Sequence, residues 1–213
     1  MPIKSIDGIE RAGMKRLISA LLIVGGLVTL TGCNANLAAQ VGETKITQGT
    51  VQSRISEILS ERRKFDTTQM QLSTGEALNR NEVRFLLISA IFEKLAKNGG
   101  IEITQAMKDA KKAEIYGQVG GEQQLPMALV NAQIPPSDFD TYVQSVLISN
   151  ALVAKAKAAG IADDQTGKAL QQLVLALTKK EPVKINPQYG SWDPNNADLA
   201  AFDSAGTAVK LFN

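Results

Sequence analysis

Residues 79–98, NRNEVRFLLISAIFEKLAKN, decide the fold class of this chain. Val83, Leu86, Leu87, Ala90, Ile91 and Leu95 recur at intervals of three and four. They therefore form a broad apolar stripe along one side of a helix, and such a stripe needs apolar partners. Asn98-Gly99-Gly100 closes the run, because glycine accepts the left-handed backbone at which helices stop.

The flanking chain supplies the partners. Thr47 precedes a first helix that places Val51, Ile55, Ile58 and Leu59 on one face and runs out near Arg63. Residues 64–77, KFDTTQMQLSTGEA, are polar and read as a loop. After the central helix, residues 104–116 form a third, charged and weakly amphipathic. Residues 122–132 form a short fourth, with Leu125, Ala128, Leu129 and Ala132 inward. The fifth, 138–159, keeps Phe139, Tyr142, Val143, Val146, Leu147 and Val153 in register. The sixth, 164–179, buries Leu170, Leu173, Val174 and Leu177, and Pro182 stops it. The expected class is mainly α, with about six helices.

A shared punctuation separates these helices. Lys97-Asn98-Gly99-Gly100-Ile101 leads to Thr104, and Ala158-Ala159-Gly160-Ile161 leads to Asp163. Ala132-Gln133-Ile134-Pro135-Pro136 leads to Ser137, with Asp140 three residues on as a capping box. Each isoleucine is expected to tuck its turn against the core. Two segments look extended: Ala39 to Ile46, with turn-prone Gly42, and Val183-Lys184-Ile185. Pairing them would bring the two ends of the helical module together. The tail from 194 to 213, PNNADLAAFDSAGTAVKLFN, has few bulky apolar residues and reads as loosely ordered.

The first residues are of another kind. LISALLIVGGLVTL, residues 17–30, follows Lys15 and Arg16 directly and carries no charge. It is short for a spanning helix, which takes roughly 20 apolar residues, and it has the length of a signal-peptide core. It ends in Leu30-Thr31-Gly32-Cys33, which resembles the lipobox of bacterial lipoproteins. That resemblance implies cleavage between Gly32 and Cys33 and a diacylglyceryl group on the Cys33 thiol. Residues 1–32 are thus expected to be a lipoprotein signal peptide. Met14 is a candidate for the true start, since Asp7 and Glu10 make an unusual approach to the basic pair. The expected location is the extracytoplasmic face of a bacterial membrane, reached through lipid on Cys33; two acyl chains suffice for stable anchoring.

Composition removes several functions. The 23 basic and 21 acidic residues leave a net charge of +2, and residues 1–32 carry that excess, so the remainder is close to neutral. A neutral surface gives no electrostatic basis for nucleic-acid binding. The chain has no histidine, which excludes imidazole-based triads and most zinc hydrolases. Cys33 is the sole cysteine, so no internal disulfide or thiolate cluster is possible. Residues 160–168, GIADDQTGK, imitate a nucleotide-binding loop, but the glycine spacing is wrong and Ala169 stands where a hydroxyl must hold magnesium. Asp163, Asp164 and Glu181 suit helix ends better than acid–base catalysis. No enzyme, nucleotide, metal or cofactor is expected.

Four stretches, taken in order, carry a family resemblance. Val41-Gly42-Glu43-Thr44-Lys45-Ile46-Thr47-Gln48 resembles the hairpin that opens the SurA N-terminal domain family. Ile91 to Lys97, continuing through Gly100-Ile101-Glu102-Ile103-Thr104, is similar to the exit of its second helix. Ile134-Pro135-Pro136-Ser137-Asp138-Phe139 is similar to the entry of its long helix. Val183 to Asp193, VKINPQYGSWD, resembles the closing segment of that family and of the related PrsA foldases. The resemblance spans most of residues 38–193 and implies a chaperone module over 33–193. Those families insert a parvulin-type prolyl isomerase domain before the last helix. Here Gly160-Ile161-Ala162 passes straight to Asp163, leaving no room for one.

The expected function is that of an ATP-independent, chaperone-like lipoprotein binding unfolded or extended exported proteins, with Met127, Phe139 and Tyr142 as candidate groove residues. The alternatives are an envelope scaffold docking one folded partner and an accessory lipoprotein that captures a substrate for an enzyme.

Overall fold

A computed structural model describes residues 36–201. Cys33, Gly32, Met14 and the whole signal-peptide expectation lie outside the described residues, as do the last residues of the tail.

The described chain is mainly helical with two small antiparallel sheets. It opens with a hairpin, β1 (Leu37–Val41) and β2 (Thr44–Thr47), whose turn uses Gly42 at φ +55°. Then come α1 (Gln48–Arg62), α2 (Gly75–Asn98), α3 (Gln105–Val119), α4 (Leu125–Ala132), α5 (Phe139–Ala158) and α6 (Thr166–Lys180). After them β3 (Val183–Ile185) returns to β1, and β4 (Ser191–Asp193) pairs with β5 (Asp198–Ala200).

The predicted closure forms as an antiparallel ladder: Ala39 faces Ile185, Gln40 faces Lys184 and Val41 faces Val183. The sheet order β2-β1-β3 puts the first strand in the middle. Its residues Ala38, Ala39 and Val41 are fully buried. The Gly42 end of β1 lies beside Glu181, which Lys94 of α2 holds at 2.6 Å. The Leu37 end meets Asn186, just before the turn Pro187–Tyr189 that packs on α2, and Gly190 follows against Arg80. Strand β1 therefore runs alongside α2, its start nearer Arg80 and its end nearer Lys94.

The isoleucine punctuation is a repeated backbone motif. Ile101, Ile134 and Ile161 each donate their amide to the carbonyl five residues back, on Ala96, Leu129 and Ala156, at 2.8, 3.0 and 3.1 Å. The preceding residue is left-handed each time: Gly100, Gln133 and Gly160 at φ +60°, +59° and +86°. These are Schellman turns, which satisfy the carbonyls that a helix end leaves free. Thr47 and Thr104 cap α1 and α3, accepting from the amides of Thr50 at 3.0 Å and Met107 at 3.3 Å.

Several boundaries move. Helix α2 starts at Gly75, so the 64–77 loop is shorter than the sequence suggests; Gly75, at φ +54°, begins the turn. Ser137 is not a cap for α5, because Pro136–Asp138 forms a 3-10 turn and no side-chain cap bond is made. Asp163 likewise opens a 3-10 turn instead of capping α6, and it pairs with Lys157 at 3.0 Å. The tail reading is corrected at its start: Asp198–Ala200 is a strand, with Leu199 buried opposite Trp192.

Two apolar clusters result. The larger joins β1, α1, α2 and α6 to the later half of α5, around Val51, Leu87, Ile91, Ile148 and Leu177. The smaller gathers Leu129, Phe139 and Val143 with Ile115, Tyr116 and Leu125 around them. We call these the body and the lobe.

Candidate functional site

The end of α2 and the later part of α5 diverge where α2 stops at Gly99, and α6 crosses the opening. Leu95, Asn98 and Gly99 supply one side, Leu152, Lys155 and Ala156 a second, and Ala169, Gln172 and Leu173 a third; Ile161 joins them from its turn. The space enclosed is about 640 Å³. Three of its lining residues, Gly99, Ala156 and Ala169, are small. Leu95 and Leu152 are buried, whereas Leu173 is 40% exposed at the mouth.

The walls are nearly all carbon. Lys155 brings the one charge, and its Nζ donates to the Gly99 carbonyl at 2.6 Å. That bond satisfies a carbonyl at the negative end of α2. No carboxylate or hydroxyl side chain lines the groove. It is suited to burying aliphatic or aromatic groups, at roughly 25 cal/mol per Å² of apolar surface removed from water.

The residues proposed from sequence lie elsewhere. Met127 is exposed on α4. Phe139 is buried in the lobe, its ring centre 6.2 Å from that of Tyr116. Tyr142 lines a separate, polar cavity of about 300 Å³ with Glu82 and Gln133. None of the three lines this groove. Spacing placed Phe139 and Tyr142 on the apolar face of α5, but spacing alone does not say which cluster that face meets.

Sequence reasoning also passed over a polar cluster between α1, α2 and the 136–138 turn. Glu82 and Asp138 are 3% and 2% exposed. Arg54 reaches Asp138 at 3.0 Å and also donates to the Ser137 hydroxyl. Glu57 accepts from the Ser137 amide at 2.9 Å and from its hydroxyl at 2.5 Å. Beside them Arg62 donates to the Ser73 carbonyl at 2.8 Å and to the Gln133 side-chain oxygen at 2.9 Å, and burial lowers its pKa. Burial, reinforced by the neighbouring Asp138 charge, pushes the Glu82 carboxyl up to about 8. One signal was available: Leu78, Glu82 and Leu86 are spaced by four, which puts Glu82 on the stripe of α2.

Among the described residues, no group of three His, Cys, Asp or Glu side chains is placed to hold a metal ion, and no helix is long and apolar enough to cross a membrane. Comparison with protein-family models, curated proteins and solved structures finds no match for this chain.

Proposed function

We propose that this protein is a membrane-anchored extracytoplasmic lipoprotein that binds unfolded or extended segments of exported proteins without ATP. The groove between α2, α5 and α6 carries this reading. It is apolar and large enough for two or three bulky side chains, with Lys155 as the one ionisable side chain in its lining. Binding there would rest on apolar burial with little directional bonding, which tolerates many client sequences. The lipobox-like Leu30-Thr31-Gly32-Cys33 supports the location, and the order of the hairpin, helices and VKINPQYGSWD segment supports the chaperone-like class. Lipid on Cys33 would hold the module where clients emerge.

The test is a client assay. The purified chain should slow aggregation of a reduced, unfolded model protein and bind apolar peptides, and it should leave the folded form of the same protein alone. Equal or greater binding to a folded partner, with no effect on aggregation, would replace this reading with that of a scaffold.

A further inference from the structure

The lobe joins the body covalently through α5, and a row of polar contacts reinforces the join. Arg62 meets Gln133, Glu57 meets Ser137, and Arg54 meets Asp138. All three lobe-side residues fall within Gln133–Asp138, the corner between α4 and α5.

Glu82 of α2 faces the same corner, and here the pairing does not close with ionised groups. The charged groups around it are Arg54 and Glu57 from α1 and Asp138 from the corner. Arg54 is directed at Asp138 and Ser137, and Glu57 takes both donors of Ser137. Glu82 Oε1 and Asp138 Oδ2 are then two buried acceptors without a donor, and Arg54 Nε, also buried, bonds to neither of them. Buried acceptors without a donor are strongly disfavoured, and two buried anions side by side more so. One hydroxyl hydrogen between the two carboxyl groups removes both faults, since a protonated carboxyl donates and an ionised one accepts.

We infer that Glu82 and Asp138 share a single proton, and that this proton latches the α4–α5 corner of the lobe onto the body. Arg54 lies against Asp138 and keeps that group as the anion; Glu82, with no cation of its own, carries the hydrogen. Burial raises both groups and the Arg54 charge opposes the rise at both, but of the two it is Asp138 that Arg54 pairs with directly. The folded chain thus keeps a proton on Glu82 that an unfolded chain releases at an ordinary carboxyl pKa. The latch holds while Asp138 is ionised and Glu82 protonated; Glu82's contribution weakens as the pH rises past its ordinary 4.5 and is lost once Glu82 ionises above about 8. Opening sets two carboxylates against each other at the corner and weakens its hold, loosening the lobe while the body keeps its own core. This inference does not depend on the client-binding reading, because the groove lies on the body.

Two measurements on the full chain test it. Hydrogen exchange of the Phe139–Val143 amides, corrected for intrinsic base catalysis, should show protection falling at least about tenfold between pH 6 and 9. In Glu82→Gln, whose amide donates to Asp138 at every pH, the fall should be under about twofold. Independently, carbon NMR of the unsubstituted chain labelled at the glutamate carboxyls should show one glutamate titrating near pH 8. The inference is overturned if every glutamate titrates below about pH 6, or if Glu82→Gln keeps the wild-type pH dependence. Should Glu82→Gln fail to fold, the carboxyl titration decides alone.

Discussion

The side-chain amide of Asn186 donates to the Leu37 carbonyl at 3.1 Å, while the Asn186 backbone amide donates to Ala38 at 2.9 Å. One residue thus fastens the end of the helical body to its first strand. Its side-chain oxygen also accepts from the Gln188 amide at 3.2 Å, which starts the turn that places Tyr189 in the core. Asn186→Ala removes both side-chain bonds and should cost about 1–2 kcal/mol. Urea unfolding should show a lower midpoint with an unchanged slope.

Gly190 is a second fixed point of the closing segment. Its φ is +121°, and a Cβ there would run into the Ala200 carbonyl. Gly190→Ala should cost about 2 kcal/mol or more, and it should push the β4–β5 hairpin off the body. Trp192, the sole tryptophan, sits in that hairpin, so its emission should shift to the red.

Gln133 carries a conformation that glycine would hold with less strain. It stays because its side-chain oxygen accepts from both Arg62 and the Ser73 amide, at 2.9 and 2.8 Å. Gln133→Ala keeps the strain and loses the bonds, whereas Gln133→Gly loses the bonds and relieves the strain. Both should destabilise, the alanine variant by about 1 kcal/mol more than the glycine variant. Thermal unfolding of the pair separates the two effects.

Leu173→Asp places a carboxylate at the mouth of the groove. As Leu173 is 40% exposed, stability should change by no more than about 0.5 kcal/mol. Affinity for apolar peptides should fall at least about fivefold, about 1 kcal/mol by the usual conversion. Unchanged affinity at unchanged stability would move the binding surface elsewhere. Fluorescence anisotropy with a labelled apolar peptide reads the difference.

For the anchor, globomycin should cause an unprocessed precursor to accumulate, and Cys33→Ser, which cannot take the lipid, should remain unprocessed without the drug. Radiolabelled palmitate should enter the wild-type chain and not the variant. Indifference to globomycin would remove the lipobox reading.

The helices and their ends were open to sequence reading wherever one backbone motif depends on one residue type. Gly100 and Gly160 mark left-handed turns, and Thr47 and Thr104 mark caps, because few other residues serve there. The Val183–Ile185 return was legible from its alternation and from Pro182, which forbids a longer α6. The groove was not legible. Its lining comes from the end of α2, from α5, from α6 and from the Ile161 turn, which are far apart in sequence and have nothing in common locally. Ser137 misled for a related reason: its amide and hydroxyl found Glu57, eighty residues earlier, in place of the neighbour that a capping box requires.

The course of β1 beside α2 also sets a distance. Only Asn34, Ala35 and Asn36 separate Cys33 from β1, a tether of on the order of 10–14 Å when fully drawn out. That strand starts nearer the Arg80 side of α2, while the groove lies past Leu95, on the order of 20 Å further along the helix. With lipid on Cys33, the start of β1 would stand within that tether's length of the anchor, and the groove would lie most of a helix length further along α2. A client would then be met at arm's length from the bilayer, clear of the apolar phase that competes for the same side chains.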